Sequence, residues 1–309
     1  MAKRQRKNNS GRGSTLIVAV VLTFIILGTV VYSVARQISS QMTQSAIDNL
    51  SESLGLLQGT IQAIMHKEAE FQKLIAQELS LLEDPEAFVL SYNTNKTMIK
   101  MSIIPAGETK GISSTGEVFS AEALDFSSGK KIDDLPLSGS YLNDMGTWAY
   151  TIACPVTQNG EQIATLYIEY IYDTLDEALP PKFYNNNATL YVMDARSQRF
   201  VLKPKGIGER VAGHINLQDF YNANRILEPD IQATVSESIQ EGKHVMFYHH
   251  VRDKESLIYM WAVNDGALYL IGYVPIHSIQ QEGKAVNQNI IFVVAVMLAA
   301  FLICCILFF

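Results

Sequence analysis

Apolar positions fall into three patterns along this chain: unbroken runs at both ends, a three-and-four spacing early on, and strand-like alternation through the middle. Ser14 to Ala35 (STLIVAVVLTFIILGTVVYSVA) and Ile290 to Phe309 (IIFVVAVMLAAFLICCILFF) carry no charged residue. A helix needs about 20 such residues to cross the hydrocarbon core, where helical pairing satisfies the backbone internally. The pattern therefore predicts transmembrane helices at 14–35 and 290–309. For the first, a cleaved signal peptide ending near Ser33-Val34-Ala35 is the alternative, although its apolar core exceeds the usual roughly 7–15 residues.

Between the runs, Ile47, Leu50, Leu54, Leu57, Ile61, Ile64, Phe71 and Ile75 recur at three- and four-residue steps, interrupted at Glu68. This heptad seam predicts one long helix over 36–84, ended by Asp84-Pro85. The helix either pairs with its twin in a second subunit or lies against its own globular domains.

Alternation then takes over. Thr97 to Ile104 and Glu117 to Phe119 read as strands, and Ser120 to Asp144 as loop with a short helix. A hairpin follows, Thr147 to Val156 and Gln162 to Tyr172 around Asn159-Gly160, among the strongest short turn signals. On its first strand Trp148, Tyr150 and Ile152 share one face, and Thr147, Ala149 and Thr151 the other. After Pro180-Pro181 come strands at Ala188 to Met193 and Gln198 to Leu202, helices near Asn216 to Asn224 and Pro229 to Gln240, and strands at His244 to Val251, Leu257 to Val263 and Ala267 to Val274. The predicted class is α+β: two modules, 85–180 and 181–278, a connecting helix over 279–289, and the flanking spans.

Charge orients this arrangement. Residues 1–13 carry five basic residues and no acid, which predicts a cytoplasmic N-terminus and an extracellular 36–289 in a multi-pass plasma-membrane protein. All 31 acids and 19 of the 24 basic residues lie in 36–289, a net charge of −12 that suits neither nucleic acid nor an anionic lipid surface. Cys304 and Cys305 lie inside the second span, so Cys154 alone cannot build an intramolecular disulfide framework or a cysteine zinc site.

Catalytic chemistry is not legible. His249 and His250 are adjacent on a strand and point to opposite faces, which disfavours a shared metal. Gly206-Ile207-Gly208 lacks the third glycine of a dinucleotide loop, and no nucleophile-elbow or metalloprotease spacing occurs. No cofactor or metal is expected.

The order of span, long helix, two α+β modules and return span resembles the bacterial double Cache region, the PAS-like external sensor of transmembrane receptors. The second module carries the resemblance best, in ATLYVMDARSQRFVL and MFYHHVRDKESLIYMWAVNDGALYLIGYVPI. GTWAYTIACPV, QRFVLKPKG and LIGYVPI are similar in wording to the sensor part of hybrid histidine kinases from clostridial-type bacteria. The resemblance implies a signalling helix and a kinase or diguanylate cyclase after the return span, so the chain reads as the input half of such a receptor; a membrane-anchored scaffold is the competing reading. It also implies an Arg-x-Trp-Tyr ligand box on the first module. Here Gly146 and Ala149 replace the Arg and Tyr around Trp148, which removes the bidentate clamp on an α-amino acid carboxylate and argues against an α-amino acid ligand. Tyr141, Asp144, Trp148, Tyr150 and Asp173 are the expected ligand-binding residues; Trp148 and Tyr150 as ordinary sheet core is the alternative. The expected partners are a small extracellular solute or an envelope protein, the membrane, and a second copy through the 47–75 helix.

Overall fold

The computed structural model describes residues 10–92, 100–180, 183–186, 188–204, 214–279, 292–297 and 299. Ser51–Ile276 forms one compact body, and the segments before and after it form another.

Helix α1 runs without a break from Ser10 to Leu79. Among the described residues it is the one helix long and apolar enough to cross a membrane. The second apolar run falls almost wholly outside the described residues; 292–297 and 299 within it are helical. Ile276–Ile279 is a short helix; of the connecting helix expected over 279–289, all but Ile279 lies outside the described residues.

The seam on α1 turns inward. Leu50, Leu54, Leu57, Ile61 and Ile75 are buried within this chain and Ile47 and Ile64 half-buried, while Phe71 of the seam is 39% exposed and Leu56 and Leu74 on the opposite side are 69% and 65% exposed. The three-and-four pattern marked a real apolar stripe, but what covers it is this chain's own fold, so the seam is not free to zip to a twin. Nor does Asp84-Pro85 end α1, which stops at Leu79. Asp84 instead caps the next helix, α2 (Pro85–Ser91), accepting from the Ala87 N–H at 3.0 Å with Pro85 in the first turn.

Two antiparallel sheets follow. The first contains β1 (Lys100–Pro105), β2 (Lys110–Ser113), β3 (Val118–Ser120), β6 (Tyr141–Leu142), β7 (Trp148–Gln158) and β8 (Glu161–Ile171), in the order β3-β2-β1-β8-β7-β6. A two-stranded excursion, β4 (Lys131–Ile132) and β5 (Leu135–Pro136), interrupts the chain between β3 and β6. The β7–β8 turn has Asn159 and Gly160 at φ 52° and 88°, the left-handed pair that a two-residue hairpin requires.

After α3 (Asp173–Ala178), the second sheet is built from β9 (Tyr191–Asp194), β10 (Phe200–Leu202), β11 (Val245–Val251), β12 (Lys254–Val263) and β13 (Leu268–Pro275), ordered β10-β9-β13-β12-β11. Alternation gives it two apolar faces. Tyr191, Met193, Ile258, Met260, Tyr269 and Ile271 pack with Phe220 and Leu217 of α4 (Leu217–Asn224) and Val235 of α5 (Pro229–Glu241). Trp261, on the other parity, donates through Nε1 to Gln58 of α1 at 2.8 Å.

Candidate functional site

The register of the first sheet decides which side chains meet. Lys100 of β1 sits opposite Glu169 of β8, and Glu169 opposite Thr151 of β7. Directly opposed residues share a face, so these three form one row, with Ser102 and Tyr167 in the next. Above that row the sheet bounds a cavity of about 550 Å³, walled by Val118, Phe119 and Ser120 of β3 and by Tyr141, Asn143 and Asp144. The volume falls within the roughly 300–1,000 Å³ common for small-molecule sites.

Glu169 is the polar centre. Its carboxylate accepts from the Tyr141 hydroxyl at 2.9 Å and from Asn143 Nδ2 at 3.0 Å. Tyr141 Oη is also 2.6 Å from Thr151 Oγ1. Burial first, and then the Glu169 charge, drive the ionisation of Tyr141 well above its ordinary value, so the phenol stays a donor. Asn143 is held in place because its Oδ1 accepts from the N–H groups of Met145 and Thr147, at 3.1 and 3.0 Å. Lys100 supplies the positive charge: its Nζ is 2.9 Å from Asp144 and 4.0 Å from Glu117. Burial alone would lower its pKa. The Asp144 hydrogen bond and the charges of Asp144, Glu169 and Glu117 outweigh burial and hold it above the usual lysine value. Phe119 and Tyr167, with ring centroids 5.2 Å apart, add an aromatic wall. The arrangement can bind a small polar solute with opposite charges close together. No histidine or cysteine lines the cavity among the described residues.

Of the five expected site residues, the structure brings together Tyr141 and Asp144. Tyr150 is fully buried on the opposite face of the same sheet, where its hydroxyl donates to Glu68 of α1. Trp148 shares that parity at the start of β7 and does not line the cavity, and Asp173 is exposed at the start of α3. The residues that sequence reasoning missed are Lys100, Asn143, Thr151, Tyr167 and Glu169. A signal for Glu169 was present: it is the one charged residue in the apolar and aromatic stretch ATLYIEYIY, two positions from Tyr167 and on its face.

Three other polar groupings pair among their own residues. Between the sheets, buried Asp194 of β9 accepts from the N–H and Oγ of Ser140 (3.2 and 2.9 Å) and of Ser197 (2.7 and 2.8 Å). His66, Glu70 and Asp133 converge at the surface, but Glu70 is engaged by Lys73 at 2.9 Å and His66 pairs with Asp133. His249 Nε2 lies 3.2 Å from the Asn224 carbonyl, while His250 is exposed.

No family model and no curated relative matches this sequence. Solved structures do match its fold. The sensory domain of the Campylobacter jejuni chemoreceptor Tlp3 with isoleucine bound aligns at TM-score 0.52 and 13% identity, covering 78% of this chain and 97% of that one. The ligand-binding domain of Mlp24 with asparagine aligns at TM-score 0.55 and 12% identity, covering 80% and 99%. An extracellular domain assigned to a histidine kinase, mmHK1S-Z2, aligns at TM-score 0.53 and 13% identity, covering 76% and 98%. The likeness is one of fold: long helix and antiparallel sheets arranged as in these sensory, ligand-binding and extracellular domains.

Proposed function

We propose that this chain is the input portion of a transmembrane receptor, and that the cavity on the first sheet binds a small extracellular solute. The observation that carries this reading is the two-sided use of one sheet: its open face holds the Lys100–Glu169 row, and its other face grips α1. Because α1 continues into the apolar N-terminal run, a ligand with unequal affinity for two sheet positions would shift the helix.

The solute class that fits is a small zwitterion. Glu169 is placed to receive an ammonium group, and Lys100 offers an anionic group one cation in place of the missing guanidinium clamp. The structural neighbours with isoleucine and asparagine support a ligand of that size. The fuller reading has two spans, 36–289 outside the cell, tandem modules at 85–180 and 181–278, and output through a histidine kinase transmitter. The kinase output is favoured over a cyclase by the resemblance of GTWAYTIACPV and LIGYVPI, together with the fold of mmHK1S-Z2. A homodimer in this scheme uses the exposed side of α1 around Leu56, Ala63 and Leu74, since the seam is occupied.

The test is a thermal-shift and calorimetric panel on the full chain in nanodiscs. The probes are L-isoleucine, L-asparagine and 4-aminobutyrate, each beside its amine-only and acid-only analogue. Binding of a zwitterion that is lost in both Glu169→Gln and Lys100→Met supports the reading. Binding unaffected by either substitution, or no response to any probe, contradicts it.

A further inference from the structure

The α1 face that grips the first sheet is apolar except for one turn. Met65, Ala69 and Ala76 are buried there, as are Tyr150, Ile152, Leu166 and Ile168 of the sheet. Within that contact lie Glu68 and Gln72, four residues apart and therefore stacked on one side of the helix. The Tyr150 hydroxyl donates to the Glu68 carboxylate, and the Tyr170 hydroxyl donates to the Glu68 main-chain carbonyl at 3.0 Å. Gln72 Nε2 donates to the carbonyls of Ile152 and Leu166 at 2.8 and 2.9 Å. These two bonds fix which end of the amide is nitrogen, so Gln72 Oε1 cannot be exchanged for it. That oxygen is buried and has no hydrogen-bond partner. A buried acceptor without a donor is destabilising, and one turn away stands a carboxyl group that becomes a donor when it binds a proton.

We infer that Glu68 is a proton-binding site through which external pH acts on this protein, an input separate from the solute cavity. With Glu68 protonated, its O–H donates to Gln72 Oε1 while Tyr150 donates to its other oxygen, and every polar atom of the turn is paired. With Glu68 ionised, a half-buried anion has one side-chain donor and the Gln72 oxygen one turn away is left unpaired. The α1–sheet contact is then tight in acid and looser in base. The proton exchanges with solvent, and no bond other than O–H forms or breaks.

The groups facing Glu68 are Tyr150 from β7, Tyr170 from β8 and Tyr172 just after it; Cys154 of β7 and Tyr92, after α2, lie near Tyr170. Tyr150, Tyr170, Tyr172 and Cys154 are all pushed up by burial first, so they stay protonated through the neutral range. On α1 itself, Lys73 is spent on Glu70, and His66 on Asp133 of the β4–β5 turn. Burial raises Glu68 to about 7, with the Tyr150 hydrogen bond pulling in the other direction. The titration therefore falls where external pH varies.

The experiment is hydrogen–deuterium exchange of the full chain in nanodiscs from about pH 5.5 to 8.5, corrected for intrinsic exchange. Wild type, Glu68→Gln, Tyr150→Phe and His66→Gln are compared. In wild type, protection of residues 61–79 should fall by about tenfold or more as pH rises through the midpoint. Glu68→Gln should be flat across the range, and His66→Gln should behave as wild type. Tyr150→Phe, which removes the donor favouring the anion, should move the midpoint upward and serves if Glu68→Gln does not fold. A transition that persists in Glu68→Gln, vanishes in His66→Gln, or ignores Tyr150→Phe overturns the inference, as does a pH-independent wild type.

Discussion

Glu169 and Tyr170 are consecutive on β8 and serve opposite faces of the same sheet. Glu169 accepts from Tyr141 and Asn143 in the cavity, while Tyr170 donates to the main chain of α1 at Glu68. The neighbouring strand repeats the arrangement, with Thr151 toward the cavity and Tyr150 toward α1. A displacement of these strands on one side is therefore felt on the other, because a close-packed interior has no slack to absorb it.

Glu169→Gln should weaken solute binding by about ten- to a hundredfold, since a hydrogen bond to a charged group contributes roughly 1.5–3 kcal/mol. Stability should fall only modestly, because the amide keeps an acceptor for Tyr141 while its NH2 replaces the acceptor for Asn143 Nδ2. Calorimetric Kd values beside melting curves separate the two effects.

Stability should depend on pH through Glu68, with a definite sign. Its pKa is raised from 4.5 to about 7 on folding. The folded chain therefore binds a proton that the unfolded chain releases, so this stabilisation is complete below 4.5 and is lost as pH rises through 7. The amount is on the order of 3 kcal/mol. The melting temperature of the full chain should be higher at about pH 5 than at about pH 8, and Glu68→Gln should remove that difference.

Gly272 on β13 lies against backbone. A Cβ there would run into the Thr189 carbonyl and the Tyr259 hydroxyl. Gly272→Ala should cost about 1–3 kcal/mol or more. By contrast, Gly160→Ala in the hairpin turn meets open space and is penalised only by its φ of 88°, about 1 kcal/mol. Melting temperatures of the two variants should rank in that order.

The exposed side of α1 can be probed by oxidative crosslinking, with Cys154, Cys304 and Cys305 replaced by Ser. Ala63→Cys should crosslink between subunits in membranes. Leu54→Cys, fully buried against its own fold, should not.

Much of this fold was legible because local chemistry and pattern agreed. Asn159-Gly160 and Asn264-Asp265-Gly266 turn where left-handed backbone is needed, and strands with apolar residues on both parities form the second sheet. The helices expected near 216–224 and 229–240 form at 217–224 and 229–241, with Asn216 capping the first by accepting from the Asp219 N–H. Two things were not legible. A heptad stripe reports that something covers it, not what, and here the cover is the chain's own two sheets. Aromatic bulk drew Tyr150 into the expected site, whereas strand parity puts Thr151, not Tyr150, on the cavity face. Lys100 and Glu169 are 69 positions apart and become neighbours only through the β1–β8 register, which no local pattern specifies.

The most direct test of the account follows α1 when the cavity is filled. Hydrogen exchange of residues 61–79 should be measured in the full chain in nanodiscs, at fixed pH, with and without the zwitterion that binds most tightly in the panel. The account predicts altered protection on α1 as well as on β7 and β8, and no change on α1 in Glu169→Gln. Protection confined to the cavity strands, with α1 unmoved, would contradict it.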